Sequence, residues 1–564
     1  MGGPLSSTGA LCVGGATFMD RELAAIAGRD GQAAAWIRAF EQFGAEAPAR
    51  VRGDFSVAVR DDAGRVLLAV DRFATHPLCY RVEGNTLHFA DRADDVAGRS
   101  AGLDAQALFD YLYFHVIPAP RTIFNDVHRL REGHYALFKN GSISVAPWWN
   151  PVFEETRRES LEQLRDEFRS LLSESVAAQV HGKRVGCFLS GGTDSSTVAG
   201  MLGRVTGTPA RTFSIGFDAK GFDEMEFARI AARHFDTDHH EYYVTPDDLV
   251  QCIPMLAAAY DQPFGNSSVA PAYYCAGMAR EAGVERMLAG DGGDELFGGN
   301  SRYAVQRVFS LYDEIPKLVR KSVLEPSLLG WPLPARIPGL KKAVSYVEQA
   351  RVPMPDRMQS YNLLARIGIG EVLRDEFLAT VDVEEPLRQQ RAVYGTCNAH
   401  SLINRMLAFD WKYALADNDL PKVVGATSAA GVRVGFPLLD DRLVDFSLRL
   451  EPSLKLKGLK LRWFFKEALR EFLPEAILAK KKHGFGLPFG VWLTTHAGLQ
   501  ELAFDSLSAL DRRGFLQRGF VDALRREHLP QHPSYYGEIV WILVMLEQWF
   551  NGNRALVGYG TLLR

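Results

Sequence analysis

The fold is decided by the stretch Phe188-Leu189-Ser190-Gly191-Gly192-Thr193-Asp194-Ser195-Ser196, which follows the apolar residues 185–187. Its pattern predicts a buried strand that runs into a Ser/Gly turn and then into the first turn of a helix. Such a turn aims unsatisfied backbone N–H groups and the positive end of the helix at an anion. The Gly-Lys-Ser/Thr of kinase and GTPase phosphate loops does not follow. The stretch therefore predicts a phosphate-binding loop of another kind; an ordinary strand–helix turn is the alternative.

Strand and helix patterns alternate along the chain after this loop. Residues 211–217 predict a strand, a helical pattern begins after Asp223, and His239 and His240 begin the next strand. Strands that alternate with helices predict a parallel sheet covered on both faces, and therefore an α/β fold. Beyond about residue 300 nearly all patterns are helical, with a Pro/Gly-rich interruption at 330–339.

The first 150 residues show a different pattern, in which pairs of apolar runs flank short turns. The turns are Asp61-Asp62-Ala63-Gly64, Glu83-Gly84-Asn85 and Asn140-Gly141. Such pairs predict β-hairpins, and a helical pattern from Asp104 completes a mixed α+β domain. The polar segment 150–159 predicts a boundary, so we expect one domain at 1–150 and a second at 151–564.

Composition and charge are typical of a soluble globular protein. The chain has 564 residues, of which 47% are hydrophobic and 23% charged, and a net charge of −4. This balance gives no electrostatic case for binding nucleic acid or a membrane. Six scattered cysteines without a CxxC pair argue against a zinc site and fit a reducing compartment. We find no signal peptide, and the apolar segment 539–550 is too short to span a bilayer, so we expect a cytoplasmic protein in which that segment is a buried helix.

A second glycine-rich segment carries clustered acids: Leu288-Ala289-Gly290-Asp291-Gly292-Gly293-Asp294-Glu295. So many glycines and acids make a poor core element but a good loop beside a metal ion. Mg²⁺ prefers one or two carboxylates together with phosphate oxygens. Asp194 and Asp294, one from each loop, are therefore candidate metal ligands. Without the first loop, this segment would be interpreted as a solvated acidic turn.

The pattern Ser-Gly-Gly-x-Asp-Ser of the first loop resembles the pyrophosphate-binding loop of the ATP pyrophosphatases, which cleave ATP between its α- and β-phosphates. Followed by the acidic loop, it resembles the synthetase domain of asparagine synthetases. Further segments extend this resemblance over roughly residues 160–495. They are Thr212-Phe213-Ser214-Ile215-Gly216-Phe217, Asp261-Gln262-Pro263-Phe264, Phe436-Pro437-Leu438-Leu439-Asp440, Leu454-Lys455-Leu456-Lys457-Gly458 and Lys482-His483-Gly484-Phe485-Gly486-Leu487-Pro488.

The resemblance implies a fold and a reaction. The fold would be an N-terminal Ntn-hydrolase-like sandwich followed by a parallel-sheet domain of the adenine-nucleotide α-hydrolase type with a helical C-terminal extension. The reaction would be AMP-forming amide synthesis with ATP and Mg²⁺, in which a carboxylate is activated as its adenylate. The candidate ATP- and pyrophosphate-binding residues are Leu189, Ser190, Gly191, Gly192, Asp194, Ser195, Ser196, Ile215 and Gly290.

The resemblance also implies two catalytic residues. Lys482 matches a lysine that stabilises charge on the adenylate and its leaving pyrophosphate, and a fixed cation at such a place lowers the barrier. Asp291 matches a position that is Glu in asparagine synthetases and Tyr in β-lactam synthetases, where it would accept a proton from the attacking amine. We expect the neighbouring Lys480 and Lys481 to be surface charges.

The N-terminal part departs from the family. Glutamine-dependent asparagine synthetases begin Met-Cys, and that cysteine hydrolyses glutamine; here the second residue is Gly2, and Cys12 has no free α-amino group to act as its base. The glutamine-binding run Asn-Gly-Glu-Ile-Tyr-Asn is reduced to residues 14–19, and the strands that normally precede it are not found. Gly53-Asp54-Phe55 and residues 71–78 still resemble the family. We therefore expect a retained scaffold without glutaminase activity.

The synthetase part departs from the family at two segments. The usual Glu-Ala-Arg-Val before Pro437 appears as Arg433-Val434-Gly435-Phe436, and the usual Lys-Val-Asp-Arg appears as Lys422-Val423-Val424-Gly425. These changes should reshape the region that faces the acyl substrate. They therefore concern the identity of the substrate more than the chemistry.

The favoured function is an AMP-forming amide ligase that takes ammonia or an amine and has no glutaminase of its own, with aspartate or another compound as the carboxylate. An amide- or lactam-forming cyclase of a peptide or secondary-metabolite pathway is the alternative within the family. A catalytically silent scaffold is disfavoured by the intact phosphate loop. A tRNA-modifying ATP pyrophosphatase is disfavoured because no cysteine pair or basic surface is visible. A separate ammonia-supplying partner and a homodimer are left open.

Overall fold

The N-terminal part of the protein is a sandwich of two antiparallel sheets. The computed structural model describes residues 8–98, 102–156, 159–180, 182, 184–330, 338–480 and 486–554. The strands of this part are β1 (Gly9–Gly14), β2 (Thr17–Phe18), β3 (Val51–Arg52), β4 (Phe55–Arg60), β5 (Val66–Val70), β6 (Cys79–Glu83), β7 (Thr86–Ala90), β8 (His128–Arg129), β9 (His134–Lys139) and β10 (Ser142–Pro147). Its helices are α1 (Arg21–Asp30), α2 (Gln32–Phe43), α3 (Ala93–Ala97) and α4 (Ala105–Phe114).

The larger sheet of the sandwich has the order β1-β4-β5-β9-β10, and the smaller has the order β7-β6-β8. Successive side chains of a strand point to opposite faces. Val57 and Leu67 therefore pack with α2, whereas Ala58 and Leu68 pack with residues of the smaller sheet. The three predicted hairpins are confirmed as β4–β5, β6–β7 and β9–β10. Strand β1 pairs with β4 directly before the run 14–19, so the expectation that no strand precedes this run is wrong.

The C-terminal part combines a parallel sheet with many helices. Its strands are β11 (Val185–Phe188), β12 (Arg211–Phe217), β13 (Asp238–Val244), β14 (Arg286–Leu288), β15 (Arg433–Gly435), β16 (Leu456–Lys457) and β17 (Lys460–Leu461). The helices up to the acidic loop are α5 (Leu161–Val180), α6 (Thr193–Thr206), α7 (Met225–Phe235), α8 (Pro246–Ala259), α9 (Val269–Glu281) and α10 (Gly293–Phe297).

The remaining helices follow the acidic loop, and a π-helical segment, Trp411–Asp419, lies among them. They are α11 (Ser301–Asp313), α12 (Lys317–Val319), α13 (Glu325–Leu329), α14 (Pro338–Ala350), α15 (Leu363–Ile367), α16 (Ile369–Val372), α17 (Asp375–Leu378), α18 (Glu385–Thr396), α19 (Leu402–Asp410), α20 (Leu420–Ala429), α21 (Asp441–Arg449), α22 (Pro452–Lys455), α23 (Trp463–Ala468), α24 (Glu475–Ala479), α25 (Phe489–Leu493), α26 (Ala497–Asp511), α27 (Phe520–Ala523), α28 (Leu529–Gln531) and α29 (Pro533–Gly552).

The parallel sheet has the strand order β13-β12-β11-β14-β15. The predicted strands β11, β12 and β13 and their parallel pairing are confirmed. Strands β14 and β15 were not predicted, because each has only three residues and becomes a strand by extending the sheet. Since the carboxyl ends of parallel strands meet at one edge, the neighbouring strands β11 and β14 deliver their loops side by side.

The two parts of the chain pack against each other through apolar and charged contacts. The segment 539–550 is a buried part of helix α29, as predicted, and the hydroxyl of Tyr111 donates to the carbonyl of Ile542 at 2.8 Å. Arg72 lies 3.0 Å from Asp441 and 2.6 Å from Asp445. Among the described residues, no helix is both long and apolar enough to cross a membrane.

Candidate active site

The predicted phosphate loop joins β11 to α6. Its backbone turns at Gly191, whose φ of +65° favours glycine and whose Cβ, if present, would overlap the backbone of Phe227. Ser195 Oγ accepts a hydrogen bond from the backbone N–H of Ser190 at 3.1 Å and lies 3.0 Å from Ser190 Oγ. Gly192 precedes α6 without a side-chain cap. The N–H groups of the first helical turn are therefore available to an anion.

The acidic loop, between β14 and α10, touches the phosphate loop. A Cβ on Gly290 would lie 2.8 Å from the backbone nitrogen of Ser195, and one on Gly293 would overlap the carboxylate of Asp194. Only glycine at these two positions allows such a close approach. The contact brings the carboxylates of Asp194 and Asp294 close to each other.

A single guanidinium joins these two carboxylates. Arg462 donates from Nη1 and Nη2 to the two carboxylate oxygens of Asp194, each at 2.6 Å, and forms an ion pair with Asp294. It also donates to Thr193 Oγ1 at 2.5 Å. Burial raises the pKa of Asp194, and Arg462 opposes this increase. The sequence analysis did not single out Arg462, which lies just beyond the family-like segment 454–458.

The two carboxylates fit a divalent cation. Because Asp194 and Asp294 both contact one cationic group, both can reach a common ion. Mg²⁺ usually takes one or two protein carboxylates and completes its coordination with water and phosphate oxygens. In the described parts of the chain, no group of three or more His, Cys, Asp or Glu side chains could hold a metal ion. A metal ion here would therefore need ligands from a phosphate group as well.

Asp291 lies beside a largely buried lysine of the segment 422–425, to which the sequence analysis assigned no role of its own. Lys422 Nζ is 2.8 Å from Asp419 Oδ1 and 3.6 Å from Asp291 Oδ1. Burial raises the pKa of Asp291 to about 6, although Lys422 opposes the increase. Burial lowers the pKa of Lys422, but Asp419 and Asp291 outweigh burial and raise it. A carboxyl group with a pKa of about 6 can accept a proton near neutral pH.

One cavity of about 1370 Å³ contains these groups. The predicted site residues that line it are Ser190, Gly192, Asp194, Ser195, Gly290, Asp291 and Asp294. Leu189 and Ser196 are buried away from it, and the backbone N–H of Leu189 donates to the carbonyl of Phe213 at 2.9 Å. Ile215 packs against the core, and Gly191 forms the turn behind the lining residues. The predicted catalytic residue Lys482 lies outside the described residues.

The prediction that Lys480 is a surface charge is wrong. Its side chain is 9% exposed, and Nζ lies 3.0 Å from Glu224 Oε2. Nζ also approaches the carbonyl oxygens of Ser190 and Gly191 at 3.5 and 3.4 Å. These contacts are longer than typical hydrogen bonds and act mainly between charge and dipole. Lys480 therefore supports the phosphate loop from the side of its carbonyl groups; residue 481 lies outside the described residues.

Replacing Lys480 by Met should weaken binding of Mg·ATP about tenfold, because the loop would lose contacts of about 1.4 kcal/mol in total. Binding of AMP, which lacks the pyrophosphate group, should change little. Isothermal titration calorimetry measures both affinities. Lys480→Arg should keep most of the affinity, and Arg229→Met, which removes an exposed cation paired with Glu241, is the matched control. Equal Mg·ATP affinities for Lys480→Met and the wild type would contradict the supporting role.

Of the two segments that depart from the family, only the one with Lys422 has a residue that lines the cavity in the described part of the chain. Arg433 opens β15 beside Arg286, at the end of the sheet opposite the two loops. A Cβ on Gly435 would lie 2.9 Å from Arg286 Nε. The guanidinium of Arg286 lies 4.0 Å from Asp54 in the N-terminal part. This segment therefore packs against Arg286, which in turn approaches the N-terminal part.

Comparison with known proteins gives matches to both parts. A family model described as asparagine synthase matches residues 167–551, and one described as a glutamine amidotransferase domain matches residues 30–149. The chain is 25% identical over 523 residues to asparagine synthetase (glutamine-hydrolyzing) 1 of Bacillus subtilis, covering 92% of this chain and 80% of that protein. It is 27% identical over 545 residues to a putative asparagine synthetase (glutamine-hydrolyzing) of Mycobacterium bovis, covering 93% and 80%. It is also 25% identical over 284 residues to amidase chry2 of Gibberella zeae, covering 47% and 42%.

The parallel sheet, its two touching loops and these matches define the class of protein, which is an ATP-dependent carbon–nitrogen ligase that forms AMP and pyrophosphate. The chain belongs to the asparagine synthetase family. The resemblance and the fold class predicted from the sequence are therefore confirmed. The assignment of individual site residues stays a prediction.

Proposed function

We propose that the protein uses Mg·ATP to convert a carboxylate into its adenylate and then transfers the acyl group to ammonia or an amine. The observation that carries this proposal is the contact of the two loops, which directs Asp194 and Asp294 to one cation. That cation site adjoins the N–H groups that begin α6, a suitable place for pyrophosphate. Asp291 lines the same cavity and is available to the attacking nitrogen.

The binding roles divide between the two loops. Ser190, Gly192 and Ser195 would hold pyrophosphate through backbone N–H and hydroxyl groups. Asp194 and Asp294 would hold Mg²⁺, which supplies positive charge to the phosphate oxygens when it is bound. The loops thereby fix the triphosphate so that the carboxylate can approach the α-phosphate in line with the departing pyrophosphate.

The remaining roles concern proton and charge. Asp291 would accept the proton that the nitrogen releases as it attacks the adenylate carbonyl, and Lys422 would hold that carboxylate in place. Lys482 would stabilise the negative charge that develops at the α-phosphate, as the family resemblance implies. The products would be the amide, AMP and pyrophosphate.

The N-terminal domain, which we assign to residues 1–150, would act as a scaffold without glutaminase activity. Cys12 lies on β1, and burial raises the pKa of its thiol, which disfavours the nucleophilic thiolate. Asp54 is engaged with His76 at 3.1 Å and lies near Arg286 of the synthetase part. Ammonia would then come from solution or from a separate partner. A homodimer and a cytoplasmic location stay predictions.

Release of pyrophosphate and AMP from Mg·ATP tests the proposal. The panel contains aspartate with ammonium, aspartate with glutamine, other carboxylates with ammonium or a primary amine, and ATP alone. Release that depends on a carboxylate and on ammonium or an amine, with glutamine inert, supports the ligase without glutaminase. Equal release with glutamine and with ammonium would contradict the loss of glutaminase activity. Failure to bind ATP would contradict the ligase itself and favour the silent scaffold.

The size of the cavity favours a second candidate within the same reaction class. Its volume of about 1370 Å³ exceeds the roughly 300–1,000 Å³ of common small-molecule sites. A carboxylate larger than aspartate could therefore be accommodated beside ATP. A cyclase of a peptide or secondary-metabolite pathway would take its amine from the same molecule. Its signature would be carboxylate-dependent pyrophosphate release that needs no added ammonium.

A further inference from the structure

Arg462 fills the place that a metal ion between the two loops would take. Its guanidinium contacts both carboxylate oxygens of Asp194 and pairs with Asp294, and the side chain is only 6% exposed. Gly299 closes this space from the side, since a Cβ there would overlap both Arg462 and Asp294. The guanidinium and a metal ion therefore compete for the same two carboxylates.

Electrostatics makes this competition strong. A divalent ion and a guanidinium placed between the same two carboxylates would repel each other in a largely buried site. Two carboxylates also supply only part of the six oxygen ligands that Mg²⁺ takes. Among the described residues, no third His, Cys, Asp or Glu completes a metal-binding group here. Metal binding therefore requires both the displacement of Arg462 and additional oxygen ligands.

The backbone of Arg462 is fixed, so the displacement is a motion of the side chain. Its N–H donates to the carbonyl of Gly298 at 3.1 Å, and its own carbonyl accepts from the N–H of Lys466 at 3.0 Å. The long Arg side chain can move its head group by several ångström through rotation alone. Its donors then need new acceptors, and phosphate oxygens match the guanidinium well.

We propose that Arg462 is an exchangeable counter-ion that keeps free Mg²⁺ away from Asp194 and Asp294 until a nucleotide binds. This inference rests on the proposed function in one respect, namely that these two carboxylates are the metal ligands. The nucleotide brings the missing oxygen ligands for the metal and the new acceptors for the guanidinium. Metal and nucleotide therefore bind together, and the carboxylates alone hold no metal.

Binding of Mn²⁺, measured by electron paramagnetic resonance, tests the proposal without any turnover. We expect the wild type to bind Mn²⁺ tightly only when α,β-methylene-ATP is present. Arg462→Met should bind Mn²⁺ without nucleotide at least tenfold more tightly than the wild type, which corresponds to about 1.4 kcal/mol of binding free energy. Arg462→Lys, which keeps the positive charge, should stay near the wild type, and Asp294→Asn in the Met variant should remove the gain.

Two results would overturn the proposal: no gain of Mn²⁺ affinity in Arg462→Met, or wild-type binding that is equally tight with and without the analogue. The second comparison uses only the wild type, so it can overturn the proposal even when the Met variant does not fold. Arg229→Met, which removes an exposed cation, is the control and should behave as the wild type. Failure of the ligase assignment is seen separately, as the absence of carboxylate-dependent pyrophosphate release in a protein that still shows nucleotide-dependent Mn²⁺ binding.

Discussion

The Asp294→Asn variant should lose carboxylate-dependent pyrophosphate release by about 10²–10³-fold, the usual cost of removing one group that stabilises charge in a transition state. Asn keeps the shape of the side chain but removes the negative charge that shares a cation with Asp194. The metal ion would then be held by one charged ligand instead of two. Charge that develops as pyrophosphate departs would be less well neutralised. Initial rates at saturating Mg·ATP and substrate measure the effect.

The dependence on Mg²⁺ distinguishes a metal ligand from a residue that only maintains the loop. A weakened metal site should recover part of its rate when the Mg²⁺ concentration rises, whereas a distorted loop should not. Glu241→Gln is a suitable control, because Glu241 pairs with Arg229 on the surface. The substitution removes one carboxylate without changing the cavity. A wild-type rate in Asp294→Asn would contradict the assignment of Asp294 as a metal ligand and would place the metal site outside the acidic loop.

The sequence allowed the two loops to be predicted because local pattern determines them. A buried strand followed by Ser-Gly-Gly and the start of a helix has few other structural interpretations. Glycines are also needed where the loops touch, as at Gly290 and Gly293. The hairpins were predictable for the same reason: Asn140 and Gly141 both take positive φ, as their turn requires. Features of this kind depend on neighbours in sequence.

Three cations of the site could not be predicted, because their roles depend on partners that are distant in sequence. Arg462 contacts Asp194, Lys422 contacts Asp291, and Lys480 contacts the backbone of the phosphate loop. Arg and Lys are most often surface residues, and nothing in their local pattern distinguishes these three. Only the fold of the sheet, including the short strand β14, shows where they lie.

The contacts between the two parts suggest why an N-terminal domain without glutaminase activity would be retained. Arg72 pairs with Asp441 and Asp445 of α21, and Asp54 lies near Arg286 at the start of β14. Strand β14 ends in the acidic loop. The N-terminal domain thus supports the strand that positions the candidate metal ligand and the candidate base.

The Asp291→Asn variant should separate the two half-reactions. Asn has nearly the same size but cannot accept a proton, so amide formation should fall by about 10²–10⁴-fold. Formation of the adenylate needs no proton acceptor at this position. Carboxylate-dependent exchange of labelled pyrophosphate into ATP should therefore persist. Asp291→Glu should retain part of the amide formation, because it keeps a carboxylate at the site.

The pH dependence of the wild type should report the same base. Burial raises the pKa of Asp291 to about 6, and a base acts only in its deprotonated form. Amide formation should therefore increase as the pH rises through about 6, whereas pyrophosphate exchange should not share this limb. Lys422→Met removes the ammonium 3.6 Å away that lowers the pKa of Asp291, so the limb should move to higher pH. A base that acts only in the second step would leave pyrophosphate exchange intact in Asp291→Asn and would shift the pH profile in Lys422→Met. If Asp291→Asn loses exchange and amide formation together, or Lys422→Met leaves the profile unchanged, Asp291 serves binding instead of proton transfer.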